Sequence, residues 1–384
     1  MNPGAPLVVV GNPGNRRITG FLAAAVGTWT GPVQVLPWRR LAEGPVTLPD
    51  GAVVRVDSPG EDAEVDRLLR GAADPPAHGE ILGGAAWYAG LRAALDRLAE
   101  AGAQAGATLL NDPADIAVLF DKRACHARLA GAGVPVPAAL PVSPGDYREL
   151  RDLMASAGWA RVFVKPAHGS SASGVLALEV AGDAGRVAVG GGRVQATTSV
   201  ELAADGRLFN SLRLRRYRQE PEVAAIVDRL APDGLHVERW FPKAGLGGRT
   251  IDLRVLVVAG AAGHVVVRSS RGPLTNLHLG NDRGDLAEVR AAMSQPAYAD
   301  ALRTCVRAAA CFPGSLHAGV DLMIGTDWRR HMVAEVNAFG DLLPNLLDQA
   351  GRDSYTAQLH ALRGGRFDQW RAEPAAVDRR GWGG

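Results

Sequence analysis

The sequence predicts an α/β chain of more than one domain, parallel-stranded in its first third and dominated by strands from about residue 160 to about residue 340. Three observations carry this reading. Strand and helix signals alternate through the N-terminal third, which is the pattern of a parallel sheet covered on both faces. Afterwards strands dominate, many with two-residue apolar alternation. The chain has 384 residues, 47% apolar and 21% charged, which is too long for one compact core.

Taken in order, "PLVVV" is a short β-branched strand ending at "GNPGNRR", and "ITGFLAAAVGTW" has helical spacing. "PVQVLPW" and "AVVRVDS" are further strands. Ser58-Pro59-Gly60-Glu61 has the form of a capping box, so the helix "EDAEVDRLLRGAA" is expected to begin there and to stop at Gly71. "AAWYAGLRAALDRLAEAGA" repeats apolar residues at i, i+3 and i+4 and reads as a helix. Asp112-Pro113 starts another helix, Gly131 and Gly133 end the run "KRACHARLA", and Pro135 and Pro137 restart extended chain. The stretch after about residue 365 is polar and is expected to fray.

A formal net charge of +2 gives no bulk field toward nucleic acid or membrane, so any anion site is local. Cys125, Cys305 and Cys311 have no metal-type spacing, and so few thiols fit a reducing compartment. No apolar stretch reaches the roughly 18 residues of a membrane span, and "MNPGAPLVVVGNPG" lacks a signal-peptide core. A cytoplasmic protein with no membrane or nucleic-acid partner is expected. The assembly state is open, a homodimer included.

The motifs that carry chemistry lie after residue 160. In "RVFVKPAHGSSASGV", Val162, Val164 and Pro166 share one strand face and Phe163 and Lys165 the other. The loop that follows reads either as a β-hairpin turn or as a nest of backbone N–H groups for an anion. It is not a Walker loop, because the lysine precedes the glycines. "HAGVDLMIGTDWRRHMVAEVNAFGD" reads as two antiparallel strands, with Glu335 and Asn337 on one face and Asp321 opposite them. Two carboxylates and an amide converging on one face suit a hard cation such as Mg2+, which takes one or two carboxylates together with phosphate oxygens. In "HVERWF", Glu238 and Trp240 share a face, and Asp252 and Arg254 again lie two apart. The latter two are either a simple ion pair or a ribose and phosphate contact.

The order of these features resembles the ATP-grasp superfamily, nearest in pattern to the ribosomal-protein glutamate ligases and the glutathione-synthetase-like enzymes. The run is Lys122, Lys165 to Gly174, Glu238, Asp252-Leu-Arg254, Thr275-Asn-Leu-His278, then Asp321 and Glu335-Val-Asn337. The resemblance covers residues from about 110 to about 350 and is like a bacterial branch without an assigned substrate. It implies an N-terminal parallel-sheet domain (1–108) and two α+β subdomains that grip ATP (109–236 and 237–365), followed by a polar tail (366–384). It also implies site roles. Lys122 and Lys165 would hold phosphates, and His168, Gly169, Ser170, Ser171 and Gly174 would form the phosphate lid. Glu238 and Trp240 would line the adenine hinge, and Asp252 would bind ribose. Asp321, Glu335 and Asn337 would hold Mg2+ (or Mn2+), while Arg254 and Asn276 would face the transferred phosphoryl group. The glutamate ligases carry arginine at the positions of Leu274 and Leu279, so the substrate half departs from the pattern.

The resemblance implies an ADP-forming ligase that phosphorylates a carboxylate and passes the acyl group to an amine or thiol. The carboxylate is a small molecule or a peptide. A kinase of the same fold and a non-catalytic nucleotide-binding regulator are the alternatives. "GNPGNRR" and "DSPGED" follow strands of the parallel sheet, where Asn12, Arg16 and Arg17 either bind an acidic substrate or cap a helix in solvent. Arg213, Arg215, Arg216 and Arg218 form either a docking strip or a charged edge strand.

Overall fold

The computed structural model describes residues 1–169, 173–181 and 192–374. The first part alternates β1 (Leu7–Gly11), α1 (Arg16–Ala25), β2 (Val33–Pro37), α2 (Trp38–Glu43), β3 (Val53–Val56), α3 (Ala63–Arg70), α4 (Gly84–Gln104) and β4 (Thr108–Leu109). The strands form a parallel sheet in the order β2-β1-β3-β4. β1 and β3 are buried along their whole length, which is why they read as unbroken β-branched runs.

α3 starts later than its sequence suggests. Its N-cap is Asp62, whose carboxylate accepts from the N–H groups of Glu64 and Val65. Ser58 lies in the preceding loop and accepts from the Gly60 N–H at 3.2 Å. The reason is Glu61, whose φ of +63° is incompatible with a helix interior.

Helices α5 (Pro113–Leu119), α6 (Lys122–Gly131) and α7 (Tyr147–Ser156) lead to a second, antiparallel sheet. Its strands are β5 (Arg161–Pro166), β6 (Leu176–Ala181), β7 (Arg193–Leu202), β8 (Leu208–Tyr217) and, after α8 (Glu220–Leu230), β9 (Leu235–Arg239). They run in the order β8-β7-β6-β5-β9, so the arginine-rich β8 is an edge strand.

The third sheet has the order β13-β12-β11-β14-β15, with β10 paired to β11. It comprises β10 (Gly245–Leu246), β11 (Arg249–Val258), β12 (Ala261–Ser270), β13 (Asp282–Gly284), β14 (His317–Ile324) and β15 (His331–Asn337). α9 (Leu286–Ala292) and α10 (Gln295–Ala310) connect β13 to β14, and α11 (Ser354–Arg363) and α12 (Arg366–Ala372) follow β15. The first turns of the expected frayed tail are therefore helical. Phe367 and Trp370 are buried, so amphipathic spacing in "RFDQWRA" anchors the segment despite its polar composition.

One hydrophobic cluster runs through both the parallel sheet and the third sheet, while the second sheet has a core of its own with α7 and α8. Among the described residues, no helix is long and apolar enough to cross a membrane.

Candidate active site

The register of the third sheet stacks its polar residues on one face. Arg254 on β11 is opposite Asp321 on β14, which is opposite Glu335 on β15. Asp252 is opposite Arg268 on β12. The alternate residues Leu253, Val255, Val320 and Leu322 are buried in the core. β15 carries a bulge: Asp321 pairs with Glu335, but Leu322 pairs with Val333, so Ala334 is the extra residue. The bulge moves the buried position from Val333 to Val336 and leaves Glu335 and Asn337 on the site face.

Charge is balanced pair by pair on this face. Arg254 grips Asp321 through Nε and through Nη2 at 3.0 Å. Arg268 bridges the two acids, donating to Asp321 at 3.1 Å and to Asp252 at 2.7 Å. Lys243 donates to Asp252 at 3.2 Å and to the Thr275 hydroxyl at 2.9 Å. Burial alone would raise both carboxyls, but Arg254 and Arg268 hold Asp321 below the ordinary range, and Arg268 and Lys243 do so for Asp252. Both oxygens of Asp252 are committed to protein partners, Oδ1 to Arg268 and Oδ2 to Lys243 and Thr275.

The second sheet faces this floor. Lys165 on β5 donates to Glu238 on β9 at 2.7 Å, and the His236 ring meets the other Glu238 oxygen at 2.9 Å. Lys122 opens α6, donates to the Gly169 carbonyl at 2.6 Å and pairs with Glu335 at 3.2 Å. His168 stacks on Tyr88 with 4.0 Å between ring centres, and its ring contacts the Phe120 carbonyl at 3.2 Å. Burial pushes the His168 imidazole below its usual pKa, so the neutral ring is favoured. The loop from Ala167 to Val175 joins two antiparallel neighbours, so it is a hairpin connection. Gly174 has φ +72°, and Gly169 has no heavy atom nearer than 3.9 Å to where a Cβ would sit. Ser170 and Ser171 lie outside the described residues.

Between the sheets is a cleft with about 110 Å3 of open volume. Lys122, Lys165, Gly169, Glu238, Asp252, Asn276, Asp321 and Glu335 all line it, so most of the sequence-predicted residues converge. Trp240 does not. It lies just past β9, packed on Phe163 at 4.9 Å and under Arg161 at 5.0 Å, so the two-residue alternation that paired it with Glu238 ends with the strand. Phe163 and Phe241 line the cleft instead. Arg254 and Asn337 line a neighbouring cavity of about 390 Å3, and both cavities share Gly169, Arg268, Asn276 and Glu335.

Lys243, Arg268 and His236 were given no site role from sequence. A lone arginine inside the β-branched run "HVVVRSS" is the signal that marks Arg268.

Among the described residues, no group of three or more His, Cys, Asp or Glu side chains could hold a metal ion by itself. The donor set here is two carboxylates and an amide. The Asn337 nitrogen donates to the Gly319 carbonyl at 3.2 Å, which leaves its oxygen as the ligand-capable atom. Both Asp321 oxygens accept from Arg254 and Arg268, and Glu335 pairs with Lys122, so this all-oxygen set would fit a hard divalent cation, completed by phosphate oxygens, where the cation displaces those contacts.

Solved structures provide the comparison. The chain is similar to D-cycloserine synthetase DcsG, with a TM-score of 0.55 and 18% identity over 94% of this chain and 100% of that one. It is similar to macrocyclase MdnC from Microcystis aeruginosa MRC, bound with precursor peptide MdnA, with a TM-score of 0.52 and 11% identity over 94% and 100% of the chains. ATP-grasp ligase PsnB, complexed with a phosphomimetic variant of its minimal precursor, Mg and ADP, aligns with a TM-score of 0.50 and 18% identity over 95% and 98%. No family model matches the sequence, and no curated protein matches it. The chain has the ATP-grasp fold.

Proposed function

We propose that the chain is an ATP-dependent, ADP-forming ligase that activates a carboxylate as an acyl phosphate and transfers the acyl group to an amine or thiol. The observation that carries the reading is the convergence of Lys122, Lys165, Asp321 and Glu335 on the narrow cleft, with Arg254 lining the wider cavity that shares Glu335 with it. The fold supports it, and the solved relatives are named as synthetases, ligases and macrocyclases.

The narrow cleft takes the nucleotide in this reading. Phe163 and Phe241 flank the base, and Lys122 and Lys165 hold phosphate oxygens. Gly169 and Gly174, between β5 and β6, would offer backbone N–H groups to the phosphates. Asp321, Glu335 and Asn337 would hold a divalent cation, Mg2+ or Mn2+, which supplies countercharge to the phosphates. Asn276 lines both cavities and Arg254 lines the wider one, and together they would orient the transferring phosphoryl group. A substrate carboxylate oxygen attacks the terminal phosphorus and ADP leaves. The acceptor then attacks the acyl carbon, loses a proton, and expels phosphate. Both steps build negative charge, and cations fixed in advance by Asp252, Asp321 and Glu238 stabilise it without reorganising.

Two measurements test this. With MgATP, an acid that stimulates ADP release and hydroxylamine in place of the natural acceptor, an acyl hydroxamate is expected. A stable phosphorylated product without hydroxamate would favour a kinase. Glu335→Gln keeps the shape of the side chain and is expected to keep the fold, while lowering metal-dependent kcat by about 10²-fold or more. Near-normal turnover in that variant removes Glu335 from the metal-binding set.

A further inference from the structure

The wider cavity combines aromatic rings with arginines of two kinds. It shares Gly169, Arg268, Asn276 and Glu335 with the narrow cleft, so a molecule inside it reaches the transferring phosphate of the proposed reaction. The arginines there are committed, Arg254 to Asp321 and Arg268 to Asp321 and Asp252. The wall is apolar. Trp87, Phe120 and Phe339 form a row with ring centres 5.7 and 5.8 Å apart, and Leu277 and Leu342 add to the lining. Two exposed arginines also line the cavity, Arg16 and Arg283, the latter opposite Arg268 across β12 and β13.

These exposed arginines differ from Arg254 and Arg268 in being weakly engaged. The Arg16 side chain is 62% exposed, and its acidic neighbour Glu61 is 3.7 Å away and equally exposed. Arg283 donates to the Pro344 carbonyl at 3.1 Å, a contact that leaves its charge unneutralised. Leu274 and Leu279, where the glutamate ligases carry arginine, are buried in a small apolar cluster with Val175 and offer no anion contact. Positive charge for a substrate is therefore offered by Arg16 and Arg283, alongside the aromatic wall.

We propose that the acid activated here has an aromatic body and a second anionic group. Its reacting carboxylate lies by Arg254 and Asn276, its ring lies against Trp87 and Phe120, and its second anion is held by Arg16 and Arg283. This rests on the ligase reading above and names the substrate class of the same site. A cavity of about 390 Å3 accommodates a molecule of this kind, and an apolar ring gains by leaving water for such a wall.

The test uses the full chain with MgATP and hydroxylamine and compares three acids: phenylsuccinate, 3-phenylpropanoate and succinate. Phenylsuccinate is expected to give a kcat/KM for ADP release at least about tenfold above either of the others, and calorimetry with MgADP present should rank the affinities in the same order. Arg16→Ala and Arg283→Ala should each raise KM for phenylsuccinate at least about fivefold more than for 3-phenylpropanoate. Trp87→Ala should penalise both aromatic acids more than succinate. Preference for succinate, or arginine variants that affect the monoacid and diacid equally, overturns the inference while the ligase reading stands. If no acid stimulates ADP release although calorimetry shows MgADP bound, both fall.

Discussion

Glu238 is enclosed beside the narrow cleft with its two oxygens held by Lys165 and His236. Burial alone would raise its carboxyl, but the lysine and the imidazole outweigh burial and hold it down at about 2, against an ordinary 4.5. A carboxyl whose folded pKa lies below its unfolded one gives stability that is complete above the unfolded value and lost as pH falls to the folded one. The window here runs from about 4.5 to about 2, and the stabilisation amounts to about 3 kcal/mol. Glu238→Gln is expected to flatten acid unfolding in that window and to lower stability at pH 7, because Lys165 loses its ion-pair partner. Equal slopes for both proteins in urea titrations from pH 4.5 to pH 2 would show that Glu238 contributes no such linkage. Residues of this kind are legible in sequence when a charge interrupts an apolar run, as Lys165, Asp321 and Glu335 do. Arg268 interrupts such a run too, but its role and that of Lys243 are not readable there, because their common partner Asp252 lies on another segment and the pairing exists only once the sheet register is set.

The hairpin between β5 and β6 places two glycines under different constraints. At Gly174 a Cβ would sit 2.5 Å from the Pro166 Cγ, and φ is +72°. Gly174→Ala is therefore expected to destabilise the protein by about 1–3 kcal/mol, through strain and contact together. At Gly169 the nearest atom to a Cβ is 3.9 Å away, so Gly169→Val is expected to leave apo stability within about 0.5 kcal/mol. It should instead raise KM for ATP by obstructing the backbone where phosphate is expected. Equal Tm losses in the two variants would make both glycines structural and remove the phosphate role from Gly169. Element existence was readable here because period-two alternation survives in Val162, Val164 and Pro166. Element boundaries were less so. Ser58 and Asp62 are both good caps, and only the left-handed turn at Glu61 decides between them. The bulge at Ala334 leaves no mark in composition, yet it separates the buried Val333 from the site residue Glu335.

Across the whole molecule, the parallel sheet and the third sheet share a core, and the second sheet packs on its own. The junction within the shared core is a buried charge network. Arg55 on β3 donates to Asp57 at 2.8 Å and also to Asp341, and Gln358 on α11 donates to Asp341 at 3.0 Å. Arg17 on α1 donates to Asp341 at 3.1 Å and to the Phe339 carbonyl at 2.9 Å, two residues beyond Asn337. The residues after β15 thus tie the N-terminal sheet to the strand carrying the proposed metal ligands. Arg55 and Asp341 are both fully buried, so removing one partner leaves the other only partly compensated, by Asp57 or by Arg17, at a cost of about 3 kcal/mol. Asp341→Asn is expected to show that loss in urea unfolding, and Arg55→Met combined with Asp341→Leu is expected to cost less than the sum of the single changes. Hydrogen exchange locates the effect. In Asp341→Asn, protection should fall together in β1, β3, β14 and β15, which lie in one core, and change least in β5 to β9. If the loss is confined to the segment around Asp341, or spreads equally into β5 to β9, the network is not the joint between the two sheets.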